Sequence, residues 1–232
     1  MSVQPPLWAD RHQAGLVLAE ALGDRRDHAE DTLLLALPRG GVAVAAAMAA
    51  QLRLPLATWS VRKIADPAWP ELAIGAVAAH GVVVWRNGDA ARRRAQAAQR
   101  QGWLAAQQQE LERRRRLFGD PEDEQLRHRH LIVVDDGIAT GMTVKAALLS
   151  LQTLAPASLC LAVPVVERSV AGELEALVDQ LVALALVDDL RAVGLWYRQF
   201  EQLHDEEVLE LLRQQTFAME ARASRSRSEG LR

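Results

Sequence analysis

Apolar runs at 32–37, 55–61, 131–134, 158–166 and 180–187 are of strand length, and the segments between them carry helical spacing. T-L-L-L-A-L at 32–37 is continuously apolar, P-R-G-G at 38–41 is a tight turn, and the alanine-rich run 42–52 predicts a helix closely packed on a sheet. P-L-A-T-W-S-V at 55–61 then completes strand, helix and strand, a βαβ unit, with Arg62 and Lys63 at its end. Ahead of this unit, apolar positions from Leu7 to Leu22 fall at helical spacing and Gly23 suits a stop. Residues 66–85 break the alternation: a loop holding Pro67, Trp69 and Pro70, then a short hairpin around Gly81. Gly88 to Leu117 reads as one long polar helix dense in Arg and Gln. Beyond the strand at 131–134, helices over 143–154 and 168–177 alternate with the last two strands, and a loop leads to a C-terminal helix beginning near Asp205.

This order predicts an α/β fold, a doubly wound and mainly parallel sheet with helices on both faces, plus a flap and hairpin insertion and a hood. The expected organisation is one domain over 1–220, with flap, hairpin and polar helix at 66–130, hood and C-terminal helix at 188–220, and a disordered tail at 221–232. With 232 residues, 50% apolar and 25% charged, the chain can bury one good core. A net charge of −3 gives no general electrostatic reason to bind nucleic acid or anionic membrane. Its single cysteine, Cys160, lies in an apolar run and reads as strand filler. No basic segment followed by an apolar stretch opens the sequence, and no run suits a bilayer, so the expected location is the cytoplasm.

The chemistry concentrates at L-I-V-V-D-D-G-I-A-T-G-M-T, residues 131–143. A strand ending on two carboxylates and turning through small residues into a helix can put acids on sugar hydroxyls while amides and hydroxyls hold a phosphate at the helix N-terminus. A Walker A loop is disfavoured: Met142 follows Gly141, and Lys145 falls inside the helix. Ligands of doubly wound sheets collect at the carboxyl ends of strands. Three predicted strands end there in anion-competent sequence: Pro38, Arg39, Gly40 and Gly41; Arg62 and Lys63; and 135–143.

These segments resemble the phosphoribosyl-pyrophosphate (PRPP) signature and accompanying loops of the type I phosphoribosyltransferases. P-E-L-A-I-G-A and V-G-L-W-Y-R-Q-F resemble a poorly characterised bacterial subgroup of that family. The resemblance implies transfer of phosphoribose between PRPP and a nitrogenous acceptor such as a nucleobase. It implies that Asp135 and Asp136 contact the ribose hydroxyls, and that Gly137, Ile138, Ala139, Thr140, Gly141, Met142 and Thr143 form the loop holding the 5-phosphate. Pro38, Arg39, Gly40, Gly41 and Arg62 or Lys63 would grip pyrophosphate, with Arg39, Lys63 and the two acids as the catalytic set. Mg²⁺ is expected, held mainly by PRPP oxygens and by Asp135 and Asp136. The expected assembly is a homo-oligomer, a dimer, without membrane or nucleic-acid partners.

There are departures from the pattern. Gly137 stands where many relatives carry an aliphatic residue, and residues 64–80 contain no Lys or Arg to bring down on pyrophosphate. Glu71 follows Trp69 and Pro70 in an expected lid and is a candidate site residue; Trp196 and Tyr197 are candidates for stacking on an acceptor base or for core packing. His128 and His130 read as exposed linker, and His204 to Glu207 as a helix N-terminus. Two other functions fit the same motifs: a regulatory protein that senses PRPP without turnover, supported by the Arg-rich segment 92–116, and a sugar-phosphate hydrolase acting at C1.

Overall fold

The computed structural model describes residues 6–23, 30–66 and 68–229; the side chains of 70–72 and 222–229 lie outside that description. Five parallel strands, β1 (Thr32–Ala36), β2 (Leu56–Thr58), β6 (His130–Val134), β7 (Ser158–Glu167) and β8 (Gln180–Val187), form a sheet in the order β2-β1-β6-β7-β8. Strand β1 is buried on both faces, as its unbroken apolar run requires of a central parallel strand. Leu33 and Leu35 point into a core shared with α5 (Met142–Gln152) and α6 (Arg168–Glu175). Leu34 and Ala36 point into the opposite core, against α1 (Arg11–Leu22), α2 (Gly40–Leu52) and α7 (Asp205–Glu229). Helices therefore cover both faces of the sheet.

The N-terminal helix starts at Arg11 and not near Leu7, because the Asp10 carboxylate accepts the Gln13 amide at 2.7 Å and sets the cap. Leu7 and Trp8 instead run alongside the hood, both amides donating to the Trp196 carbonyl. At the other end α7 continues to Glu229, past the boundary at 221 where the composition predicts a disordered tail. Residues 230–232 lie outside the described residues.

The insertion departs most from the sequence reading. Strand β2 ends at Thr58, and Arg62 and Lys63 open a separate strand, β3 (Arg62–Asp66). It pairs antiparallel with β4 (Trp69–Val77), which pairs with β5 (Val83–Trp85) across the turn at His80 and Gly81. The expected loop at 66–72 is thus mostly strand. Register shifts between Ile64 and Asp66 leave residues 70–72 without partners, so Pro70, lacking an amide donor, breaks no ladder. The single polar helix is two, α3 (Asp89–Arg100) and α4 (Trp103–Phe118), separated where Gly102 takes φ +78°. Both lie over the small sheet, Ala98 and Leu111 packing against Ile64, Ile74 and Val77. Among the described residues, no helix is long and apolar enough to cross a membrane.

Candidate active site

Asp135 and Asp136 follow directly on β6, at the carboxyl end of the parallel sheet beside the turn after β1. Contact between the two turns is close. A Cβ on Gly40 would collide with the Asp136 carboxylate, and one on Gly41 would meet the Val134 carbonyl at 2.6 Å and Asp135 Cα at 3.1 Å. Glycine at both positions lets the backbone of P-R-G-G reach the acids, with the Pro38–Arg39 peptide cis. The phosphate-loop sequence then closes over the start of α5: Gly141 takes φ +68° as N-cap, with no side chain bonded to the cap. First-turn amides of such a helix are oriented toward an anion. Thr140 is exposed, Thr143 is half-buried, and Ile138 bonds back to β7 through Val165 and Glu167. Ala139 packs on the hood, and Met142 is buried under the flap strands. Gly137 leaves room for the hood, since a Cβ there would strike Val193 at 2.5 Å.

The sequence gives no sign that Asp136 is latched. Arg11 Nε, 125 positions away, donates to Asp136 Oδ2 at 2.8 Å. The same guanidinium donates to the Glu201 carbonyl and lies 3.7 Å over the Phe200 ring. Tyr197 Oη donates to the Asp136 carbonyl at 2.6 Å, while its ring packs on Trp8 and Phe200. Of the two readings open for Trp196 and Tyr197, packing is what the structure contains: both rings are buried in the hood cluster. Tyr197 reaches Asp136 through its hydroxyl, whose pKa is pushed up by burial and by the Asp136 charge.

Burial raises both carboxyls above the ordinary range. For Asp135 the neighbouring Asp136 charge adds to burial; for Asp136 the Arg11 guanidinium opposes it. Paired, largely buried acids only partly compensated by one arginine suit a divalent cation shared with ligand oxygens, and Asp135, whose carboxylate accepts the Asp136 amide at 2.9 Å while Arg11 binds Asp136, is the better placed of the two. Among the described residues, no group of three or more His, Cys, Asp and Glu side chains could hold a metal by itself.

Of the expected pyrophosphate ligands, Arg39 and Arg62 lie within electrostatic reach of each other, and Lys63 points away from them. Arg62, half-buried, donates to Gln107 of α4 at 3.1 Å. Its pKa is lowered by burial and by Arg114, with Arg39 and Arg113 acting the same way and Glu110 opposing. Lys63, next along β3, is exposed and by strand alternation points to the other face. Arg39 lies 3.6 Å from Asp205 at the start of α7. The Glu71 side chain lies outside the described residues. Several other arginines of the insertion are paired within the chain: Arg94 with Asp66, Arg113 and Arg114 with Glu110, and Arg115 with Glu112. His130 Nδ1 lies 2.7 Å from Ser158 Oγ, away from these groups, and His128 takes φ +58° in the turn before β6.

A parallel sheet with a glycine-capped helix start at one strand end, a glycine turn at the next and paired acids between them defines an α/β protein whose candidate site lies at the carboxyl rim of its strands. The chain belongs to the phosphoribosyl transferase domain family, whose profile matches residues 9–188. It is 37% identical over 207 residues to two Mycobacterium tuberculosis proteins, of strains CDC 1551 / Oshkosh and H37Rv, provisionally named phosphoribosyl transferases. The alignment covers 89% of this chain and 46% of each relative, so the chain spans about half their length. Among solved structures it is similar to TT1426 from Thermus thermophilus, with 36% identity and a TM-score of 0.68 over 88% of this chain and 97% of that one.

Proposed function

We propose that this chain transfers phosphoribose between PRPP and a nitrogenous acceptor such as a nucleobase. One observation carries the reading: the glycine turn after β1 lies against the paired acids after β6, with no room for a Cβ at Gly40. Ribose held by the acids would therefore present C1, and the pyrophosphate on it, to the amides of Gly40 and Gly41. The 5-phosphate would lie at the N-terminus of α5, with hydroxyls from Thr140 and Thr143.

In the reaction the bond between C1 and the pyrophosphate oxygen breaks, its electron pair leaving with pyrophosphate. The acceptor nitrogen bonds to C1 and gives up its proton to solvent. Positive charge develops on the ribose and negative charge on the leaving group, so the carboxylates and the Arg39–Arg62 side act on opposite ends of one transition state. Mg²⁺ held by Asp135 and the ligand's oxygens would neutralise the leaving group. Arg11 and Tyr197 hold Asp136 in place from its side chain and its carbonyl. Grip on the remote 5-phosphate fixes the orientation of C1.

The test is incubation with PRPP, Mg²⁺ and a panel of bases, followed by measurement of pyrophosphate and nucleotide. Stoichiometric release of both with at least one base is the expected result. Binding of PRPP without release for any acceptor would replace transfer by a sensing role.

A further inference from the structure

Two arginines of α4 face the rim that holds Arg39, in a segment whose composition reads as solvated surface. The Asp205 carboxylate takes Arg39 Nη1 at 3.6 Å on one oxygen and Arg113 Nη2 at 3.1 Å on the other. Glu110 takes Arg113 through Nε at 2.7 Å and Nη2 at 3.0 Å, and Arg114 through Nε at 3.0 Å. Arg62 adjoins them, within electrostatic reach of Arg39, Arg113 and Arg114. Three guanidinium groups, from the loop after β1 and from α4, thus pair with two carboxylates, and with Arg62 of β3 within electrostatic reach the cluster carries an excess of two positive charges.

The match is incomplete in a telling place. Asp205 Oδ1 is buried without a hydrogen-bond partner, Arg39 standing just outside bonding distance. Arg114 is 12% exposed and Arg39 25%, so the excess charge is partly withdrawn from water. Partly buried guanidinium groups with too few acceptors favour a multivalent anion, and their planar forks match phosphate oxygens. The Arg113–Asp205 pair is half-exposed on the arginine side, the kind of pair that exchanges partners at little cost. Residues 64–80 of the flap carry no Lys or Arg.

We propose that α4 completes the pyrophosphate end of the site: Arg113 and Arg114 join Arg39 and Arg62 as phosphate-binding side chains, and Asp205 holds Arg39 and Arg113 until the phosphate displaces it. The inference rests on the phosphoribosyltransferase reading. It assigns to the helix the cations that the flap lacks, and to Asp205 the role of a built-in competitor for the anion.

The experiment is calorimetric titration of inorganic pyrophosphate into the full chain, with ribose 5-phosphate titrated in parallel. Arg113→Gln with Arg114→Gln should weaken pyrophosphate at least about tenfold, as expected for lost charge-assisted hydrogen bonds, and leave ribose 5-phosphate unchanged. The Lys pair at the same positions, keeping charge without the fork, should fall between wild type and the Gln pair. Asp205→Asn should tighten pyrophosphate severalfold, and Glu206→Gln, removing equal charge from the same helix turn, should leave it within twofold. Far-UV circular dichroism checks that each variant is folded. Pyrophosphate affinity within twofold of wild type in the folded Gln pair, or weakened by Asp205→Asn, overturns this inference alone if wild type still binds both ligands. Wild type binding neither would bring down the transferase reading itself.

Discussion

The two ends of the site are built differently. The proposed phosphate end is one continuous segment, 135–143, which offers backbone amides and short side chains fixed by a strand, a glycine and a helix start. The opposite end is assembled from side chains on the turn after β1, on β3, on α4 and on the start of α7, held by ion pairs and a hydrogen bond among themselves. A backbone cradle is paid for by the fold, and its specificity is largely that of shape and polarity. A side-chain cluster has rotamer freedom to lose and partners to exchange, so its affinity responds to single substitutions far from the signature.

The largest effect should come from the acids between the two ends. Asp135→Asn with Asp136→Asn is nearly isosteric but removes the charge opposite the developing cation. Turnover should fall by about a thousandfold or more while PRPP affinity falls no more than about tenfold; parallel kinetics and calorimetry measure both. Equal losses in rate and affinity would show that the acids serve binding alone. Next, Thr140→Val with Thr143→Val should cost ribose 5-phosphate about 1.5–3 kcal/mol for each hydrogen bond lost to the charged group. Pyrophosphate affinity should not move, and calorimetry that finds both ligands weakened alike would dissolve the distinction between the ends.

Smaller effects should come from the supports. Tyr197→Phe deletes the hydroxyl bonded to the Asp136 carbonyl and should lower stability by about 0.5–1.5 kcal/mol in denaturant unfolding. The smallest concerns Asp120, which joins the end of α4 to the end of β2 by accepting from Thr58 Oγ1 at 2.7 Å and from the Ser60 amide at 2.7 Å. Burial outweighs these bonds and pushes its carboxyl up to about 6. The folded state therefore keeps this proton where the unfolded chain, near 3.8, has released it. Its contribution to stability falls as pH rises between those values and is level above them. Carbon-detected NMR titration of the Asp120 carboxyl should give a midpoint near 6, and a midpoint near 4 would remove the effect.

Sequence periodicity reads the phosphate end well because both sheet and loop are local there. β6, α5, β7, α6 and β8 fall within a few residues of the apolar runs that predict them. Pro38 to Gly41 are readable for the same reason: glycine pairs announce close approach, although not what approaches. The insertion is less legible. Nothing in D-P-A-W-P-E-L announces a bulged strand, and Gly102 breaks a helix whose polar composition runs on unchanged. Arg11, Arg113 and Asp205 escape detection for a stronger reason. Each makes its contact across 92 or more positions of chain, and surface-like composition surrounds all three. Lys63 and Arg62 are equivalent in sequence, and only the pleat of β3 separates them.

The central claim is that a single ligand spans both ends. It is tested most directly by titrating ribose 5-phosphate, pyrophosphate and PRPP, each with Mg²⁺, into the same wild-type protein. PRPP should bind more tightly than either fragment, and each fragment should compete with it. PRPP binding no more tightly than ribose 5-phosphate, with pyrophosphate unable to displace it, would contradict the account.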